Sequence, residues 1–594
     1  MKNKLNCLLV ALLLGVGMIS CDDKRLDIPP LNILTADEVF RSESAITAYM
    51  ASLYNSLPME DFNFFPVSNA LSNNTDEAIT SFGDERNGIG DGTWTPWWGY
   101  NNVRNVNDLM ARLPDAAVSD LTKKTLMGEA YFIRAYYYFA MVKRYGGVPI
   151  IKEVQNFTGD NLSELQVKRD KEEDVYDFIA SDLDSAALLL GESNEKGRAT
   201  KYAALALKSR AMLYAASSAR YGQVMLNGVL GIPSQEAGKY WQAAYDAARA
   251  VMESGKYSLY NKYPDRTDNF ASLFLDQDNP EIILARYFSY PDKTHGYDCW
   301  YLPFGVRGPD GYSSRMCPTL EAVEQFEYMD GSPGKLKISD ASGQPIYYQD
   351  PTDLFKDKDP RCQATVIVPF SDWQGSVIDV QAGIYDQGTK WEAGDYSALY
   401  NVSTHKPDNA NGTLHIVGLS GLGGNEKTQT GFYIRKYLDP TLDRSRATYG
   451  GSDQQWIDLR YGEVLLNYAE AAVELGKIAD AKTAINKIRE RAGIRLLDDA
   501  EVTRDRVRHE RLVELAFENQ RWWDYRRWHL SDKLFNNTRF HQIKPYYDVQ
   551  KKAYRFEEGI AGRFPKTFDP KIYHERIDPA EIAKDPNLIQ NPNY

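Results

Sequence analysis

Carboxylate pairs, histidines, a lysine after glycines and rings on loops are the groups in this chain that could do chemistry, and each makes its own demand on spacing. Hydrolysis of a glycosidic bond needs two carboxylates roughly 5 to 10 Å apart across that bond. Asp76 with Glu77, and Asp386 with Glu392, are the pairs the chain offers. Neighbours on a chain seldom face one another across a substrate, so neither pair points to a hydrolase. The 7 histidines include no two four residues apart, and His509-Glu510-Arg511-Leu512 is followed by Val513 where a zinc-binding helix needs its second histidine. GLGGNEKT, Gly421 to Thr428, has Glu426 where a phosphate loop requires glycine before the lysine. No metal and no cofactor are expected, and the chain is read as a non-enzyme.

Rings beside polar groups make a different demand. Sugars present C–H faces that lie on indole and phenol rings, while their hydroxyls pair with Asn, Asp and Arg. A glycan-binding surface therefore wants exposed Trp or Tyr next to such groups, on loops held by a rigid scaffold. Two stretches supply both parts. The first runs from Asn73 and Asp76 through Arg86 to Trp94; the second, HGYDCWYLPFGVRGPDGYSSR, carries Tyr297, Trp300, Tyr301, Arg307 and Tyr312. Trp391, in YDQGTKWEAGDYS, is a third candidate. RWWDYRRW, Arg521 to Trp528, also interleaves cations with indoles. It could form a nucleic-acid or glycan platform, or lock a helix in place by cation–π and ion-pair packing. It follows directly on VELAFE, a buried-helix pattern, so packing is the expectation.

These loops need a frame, and one helix organises it. Between Ala130 and Val142 the only charge is Arg134, and six positions are aromatic: Tyr131, Phe132, Tyr136, Tyr137, Tyr138 and Phe139. A helix apolar on every side must be covered on every side. At about 13 residues the run is short of the ~20 that cross a bilayer, which makes it a core helix. Ser119 is its expected N-cap, and Gly146-Gly147 with Pro149 its end. Buried tyrosines there need hydroxyl partners. Other helices are expected from Thr35 (with Glu38 as a capping box) to about Leu57, from Pro96 to Pro114, and from Asp170 to about Leu190. Thr200 should cap ATKYAALALKSRAMLYAASS, whose closely spaced alanines permit tight contact with Tyr240–Tyr257. YAEAAVELGKIADAKTAINKIRERAG forms a second hairpin that turns at Gly476; Ala481, Ile485 and Ile488 have the spacing of a tetratricopeptide helix. From about Asp276 to Arg446 periodicity breaks down. Short strand candidates (EIILARYF, CQATVIVPF, FYIRKYL) and one helix, Pro318 to Met329, lie there among Gly/Asp/Asn loops.

Of 594 residues, 43% are hydrophobic and 25% charged, enough for a real core and a solvated surface. The net charge of −13 argues against nucleic acid, whose phosphates need basic patches. Lys2 and Lys4 precede an apolar run from Leu8 to Ile19, the shape of a secretory signal. It ends Met18-Ile19-Ser20-Cys21, which resembles a bacterial lipobox and implies cleavage before Cys21 and lipidation of that residue. Three later cysteines, Cys299, Cys317 and Cys362, have no CxxC spacing and read as buried free thiols.

GEAYFIRAYYYFAMVKRYGGVPII, PTLEAVEQFEYMDG, DKDPRCQATVIVP, FYIRKYLDP, DLRYGEVLLNYAEAA, VRHERLVELAFENQRWWDYRRW and the tail LIQNPNY together resemble, in order, blocks of the SusD/RagB outer-membrane nutrient-binding lipoproteins of Bacteroidota. The tail departs slightly, with Arg576-Ile577-Asp578-Pro579 where the family has an I-P-I-P-like run. The resemblance implies a mainly α fold, a tetratricopeptide-like helical-hairpin scaffold with an inserted loop-rich subdomain containing short strands. Its expected organisation is a signal peptide (1–20), a lipidated tether (21–34), a helical body (35–275) with a long ligand loop (61–95), the insert (276–446), and C-terminal helical hairpins and tail (447–594). It further implies an outer-membrane protein, lipid-anchored and facing the cell surface, which Asp22-Asp23 after the anchor supports. Such a protein captures a nutrient, most readily an oligosaccharide, and passes it to a TonB-dependent outer-membrane transporter. A peptide receptor of the same family and a glycoside hydrolase remain the alternatives. In the family, ligand contacts come from variable loops in the two ring-bearing regions named above.

Overall fold

The computed structural model describes residues 39–65, 70–81, 88–89 and 95–594. Cys21, the Thr35–Glu38 capping box, Arg86 and Trp94 lie outside the described residues.

Helix α1 (Glu43–Asn55) is capped by Ser42, whose hydroxyl accepts from the Ala45 N–H at 3.1 Å. After a two-residue strand, β1 (Ala78–Ile79), helix α2 (Tyr100–Arg112) begins later than its expected start at Pro96. Trp97 stays outside it because its N–H donates to the Tyr145 hydroxyl at 3.0 Å. Helix α3 (Asp120–Tyr145) is the anticipated core helix. Ser119 caps it through the Thr122 N–H, and Gly146, at φ +75°, ends it. A Cβ on Gly147 would stand 2.0 Å from the Asp170 carbonyl, so this corner has room only for glycine.

Every residue from Phe132 to Val142 is buried. The polar groups in that run are matched one by one, as burial requires. Arg134 grips Asp182 with two N–H donors at 2.8 and 2.9 Å and donates a third to the Asn107 side chain at 3.0 Å. The hydroxyls of Tyr136, Tyr137 and Tyr138 donate to Asp458, the Leu53 carbonyl and the Ile151 carbonyl. Helices α2, α4 (Glu172–Leu189) and α5 (Lys201–Tyr221) cover α3.

Thr200 caps α5, and its buried alanines let α6 (Ala237–Glu253) lie close against it. The chain then enters β2 (Ile282–Arg286), α7 (Tyr297–Tyr301), β3 (Cys317–Pro318) and α8 (Leu320–Gln325). Short strands follow: β4 (Val366–Ile367), β5 (Gly383–Asp386), β6 (Thr389–Trp391) and β7 (Tyr433–Ile434). β8 (Trp456–Arg460) returns antiparallel to β2, so the loop-rich stretch leaves and re-enters the helical body through one ribbon. Helices α9 (Tyr461–Glu474) and α10 (Ile478–Ala492) form the second hairpin, turned at Gly476 (φ +74°). Tyr245 of α6 stacks on Tyr468 of α9 at 4.5 Å, their hydroxyls joined at 3.0 Å, which ties the two hairpins into one scaffold.

Helices α11 (Arg504–Glu514) and α12 (Arg521–Arg527) complete the body. RWWDYRRW is buried throughout, as its packing reading required: Arg527 holds Glu470 at 2.6 Å, Trp528 donates to the same carboxylate at 2.8 Å, and Trp523 donates to Glu60 at 2.7 Å. The longest strands were not anticipated. β9 (His541–Asp548) and β10 (Ala553–Ile560) form a hairpin, and β9 pairs in parallel with β5, giving a sheet ordered β10-β9-β5-β6. Pro545 inside β9 breaks the usual strand pattern and hid it. A short helix, α13 (Pro579–Lys584), precedes the C-terminus. No helix among the described residues is long and apolar enough to cross a membrane.

Candidate ligand-binding face

Two ties between distant segments decide where the loop rings stand. His295 and Ser452 exchange backbone hydrogen bonds at 3.0 Å in both directions, which lays the segment around Tyr449 against α7. β1 pairs with β3, Ala78 opposite Pro318, which draws the 71–81 segment beneath residues 313–319. Buried side chains reinforce both ties. Asp298 accepts from the Gln454 side chain at 2.7 Å and the Asp439 N–H at 3.1 Å, and burial pushes its carboxyl up to about 6. The Tyr297 hydroxyl donates to the Lys436 carbonyl at 2.9 Å.

Trp300 lies at the centre of the resulting face. The Tyr312 and Tyr449 rings stand 4.5 and 4.8 Å from it, and 5.3 Å from each other, Tyr312 tilted against the indole and Tyr449 edge-on to both. Tyr449 is 53% exposed, and Trp300 and Tyr312 are half-buried, so the cluster presents ring surface to solvent. The Arg315 guanidinium backs it from the buried side, 5.6 Å from Trp300 and 5.5 Å from Tyr312. A hydrogen bond with Tyr312 raises the Tyr449 phenol to about 12.

Polar groups rim the rings. Asp310 accepts from the Tyr449 N–H at 3.0 Å. Arg307 is exposed, lies 4.2 Å from the Phe304 ring and gives one N–H to the Gly311 carbonyl. Lys427 approaches the same ring at 5.0 Å; burial, with Arg307 nearby and Asp395 opposing, lowers its ammonium below the usual lysine range. The Gly421–Thr428 loop is a brace: Glu426 accepts from the Ser313 N–H at 2.6 Å and from Arg315 at 3.1 Å. Under the rings lies a hollow of about 40 Å³ lined by Phe62, Tyr297, Trp300, Met316 and Trp456. Small-molecule sites run to roughly 300 Å³ or more, so this hollow is too small to enclose a ligand.

Among the described residues, those singled out from sequence fall into four groups. Trp300, Tyr312 and Arg307 share the open face. Tyr301 is 7% exposed and packs on Tyr297 beneath it. Asn73 and Asp76 reach the same region but, contrary to the open-loop expectation, point inward. Asn73 donates to the Arg315 carbonyl at 3.0 Å, while Asp76 accepts from Arg521 at 3.2 Å and the Tyr525 hydroxyl at 2.9 Å. Their role is to fasten the face to α12. Trp391 lies elsewhere, in a small cluster with Ile384, Tyr400 and Ile416. Tyr449, absent from the sequence candidates, carries only a faint local signal, one tyrosine before Gly450-Gly451.

The carboxylate pairs do not open onto this face. Glu77 is buried and accepts from the Phe517 N–H at 2.8 Å and Ser72 at 2.7 Å; burial raises its carboxyl above the usual range, with Arg521 opposing. Asp386 is buried against Tyr400 and His405, whereas Glu392 is exposed and bonded to Tyr546. Cys299, Cys317 and Cys362 are buried free thiols.

Comparison with known proteins gives two family matches. Residues 280–594 match the model described as the SusD family, and residues 26–213 match one described as starch-binding associating with outer membrane. A SusD-like protein of Bacteroides ovatus is 24% identical over all of this chain and 92% of its own length. A SusD-like protein of Bacteroides fragilis superposes with a TM-score of 0.68 at 24% identity, covering 95% of this chain and 100% of that one. A structure described as a laminarin binding SusD-like protein superposes with a TM-score of 0.58 at 17% identity, covering 93% of this chain and 100% of that one.

Proposed function

This chain belongs to the SusD family, and on that premise we propose that it is a cell-surface binding protein for an oligosaccharide or polysaccharide, which it hands to a TonB-dependent outer-membrane transporter. The observation that carries the reading is the partly exposed cluster of Trp300, Tyr312 and Tyr449 with Arg307 and Asp310 at its rim. Tilted rings offer C–H/π surface at more than one angle, which suits a chain of sugar rings that bends from residue to residue. Arg307 and Asp310 supply a donor and an acceptor for ring hydroxyls. Binding is non-covalent, with no cofactor and no bond broken. Lipidation at Cys21 holds the protein to the outer membrane in this reading, and attachment through more than one acyl chain makes it stable.

Names of relatives support the ligand class: besides the laminarin binding protein, a SusD-like carbohydrate binding protein of Bacteroides fragilis shares the fold at a TM-score of 0.66. The test is retention of the purified protein in native gels cast with starch, laminarin, xylan or galactomannan, and on a glycan array. Retention that is weakened in Trp300→Ala, with circular dichroism unchanged, supports the reading. No retention by any glycan, together with oligopeptides co-purifying from the host, replaces it with a peptide receptor. Release of reducing sugar on prolonged incubation replaces it with a hydrolase.

A further inference from the structure

A second cleft combines rings with unpartnered polar groups, on a different part of the molecule. It lies between the start of α2 and the C-terminal segment around α13, holds about 390 Å³, and shares no residue with the Trp300 face. That volume falls in the range of small-molecule sites. Trp98 lines it half-buried, its ring 5.1 Å from both Tyr100 and Tyr145, so the indole is held in place by two other rings. The hydroxyls of those two are engaged elsewhere: Tyr100 donates to the Pro149 carbonyl, and Tyr145 accepts from the Trp97 N–H.

The polar wall has groups to spare. Glu581 and Lys584 neutralise each other at 2.6 Å, and Asp578 uses one oxygen to cap α13 through the Ala580 N–H at 2.8 Å. The Arg576 guanidinium makes no hydrogen bond or ion pair with any described residue. The exposed Asn101 amide is likewise unmatched among the described residues, and it stands on the same rim. Half-buried on the cleft wall and without a partner among the described residues, Arg576 keeps the donors at the tip of its guanidinium for a molecule in the cleft. Arg576 and Lys584 balance Asp578 and Glu581, so the cleft has no net charge to select an ion. An indole face beside a planar two-pronged donor, an amide and a carboxylate oxygen fits a neutral molecule with one apolar face and adjacent hydroxyls.

We propose that this cleft is a second glycan subsite, taking one neutral sugar residue with its ring on Trp98 and neighbouring hydroxyls on Arg576 and Asn101. The proposal rests on the reading of the Trp300 face as a glycan receptor. Two subsites on one chain raise the affinity for a long polysaccharide above that for a short oligosaccharide, because the second contact is made at high local concentration.

Calorimetry with the purified protein tests it, using an oligosaccharide cut from whichever polysaccharide the gels and array show to be retained. The expected result is two molecules bound per chain, falling to one in Trp300→Ala and to one in Arg576→Gln or Asn101→Ala. Asn101 is exposed, so its variant separates loss of the subsite from loss of the fold. Retention by the parent polysaccharide should weaken roughly tenfold in either cleft variant. One molecule per chain in the wild type, abolished by Trp300→Ala and untouched by Arg576→Gln and Asn101→Ala, overturns the second subsite and leaves the receptor reading standing. Retention of no glycan overturns both.

Discussion

The buried centre around Arg460 and the open face around Trp300 are built from the same residue types, and they differ in where their hydrogen bonds end. Arg460 meets Glu281, Glu514 and Glu518, each at 2.7 Å, and its other donors reach the Glu514 carbonyl and Glu518. Glu514 also takes Arg361 and Arg491; although burial pushes its carboxyl up, these guanidiniums hold it well below the usual range. At the face, by contrast, Arg307 gives a single N–H to the described residues, and the rings reach solvent. The same contrast separates RWWDYRRW from the loop HGYDCWYLPFGVRGPDGYSSR. Aromatic and cationic content therefore marks a binding surface only where the intramolecular partners run out.

Substitutions can widen or collapse that contrast. The largest effect is expected at the buried centre. Arg460→Ala leaves three carboxylates facing one another without their shared cation and should cost roughly 3–5 kcal/mol, read as a lower urea midpoint. Trp300→Ala should do the reverse: it weakens glycan binding roughly tenfold to a hundredfold, about 1.4–2.8 kcal/mol, and moves the urea midpoint far less than Arg460→Ala. Equal loss of stability from the two would erase the distinction between frame and face.

Acid titration should separate the regions by sign. Arg527 and Trp528 hold Glu470 at about 2 against the opposing push of burial, from an ordinary value of 4.5. Its contribution is therefore present above pH 4.5 and disappears as pH falls through 2, where the native carboxylate must at last protonate. Asp298 is displaced upward by burial, from 3.8 to about 6. Its native form binds the proton more tightly than its unfolded form, so stability declines as pH rises from about 4 to about 6 and is level beyond. Thermal melts of Glu470→Gln should show a shallower acid loss below pH 4.5, and melts of Asp298→Asn a flatter profile between pH 4 and 6. The smallest effect belongs to Asn73→Ala. It deletes one buried hydrogen bond beneath the face, worth about 0.5–1.5 kcal/mol, and should alter glycan affinity less than Trp300→Ala does.

What could be read from sequence followed the range of the interactions involved. The core helix was legible because its cap, its apolar run and its glycine stop are all local, as were both helical hairpins and the packing of RWWDYRRW. The face was legible in part: Trp300, Tyr312 and Arg307 sit on one ring-rich loop. Tyr449 was not, because it arrives through the His295–Ser452 bridge, which no spacing in the chain encodes. Asn73 and Asp76 belonged to the right region, but their inward direction is set by Arg315 and Arg521, both far along the chain. Trp391 is a loop tryptophan in sequence that the β5–β6 strands turn into a small core. The hairpin β9–β10 escaped because Pro545 stands where a strand normally needs its N–H.

The bridge between His295 and Ser452, and the pairing of Ala78 with Pro318, have one more consequence. Pieces of the ring cluster and its underlay come from three stretches separated by more than a hundred residues each, and long loops must close before any of them meet. The ring cluster thus stays incomplete until the chain as far as residue 452 has been threaded into place. Capture of ligand by this molecule is for that reason also a certificate that its assembly is finished.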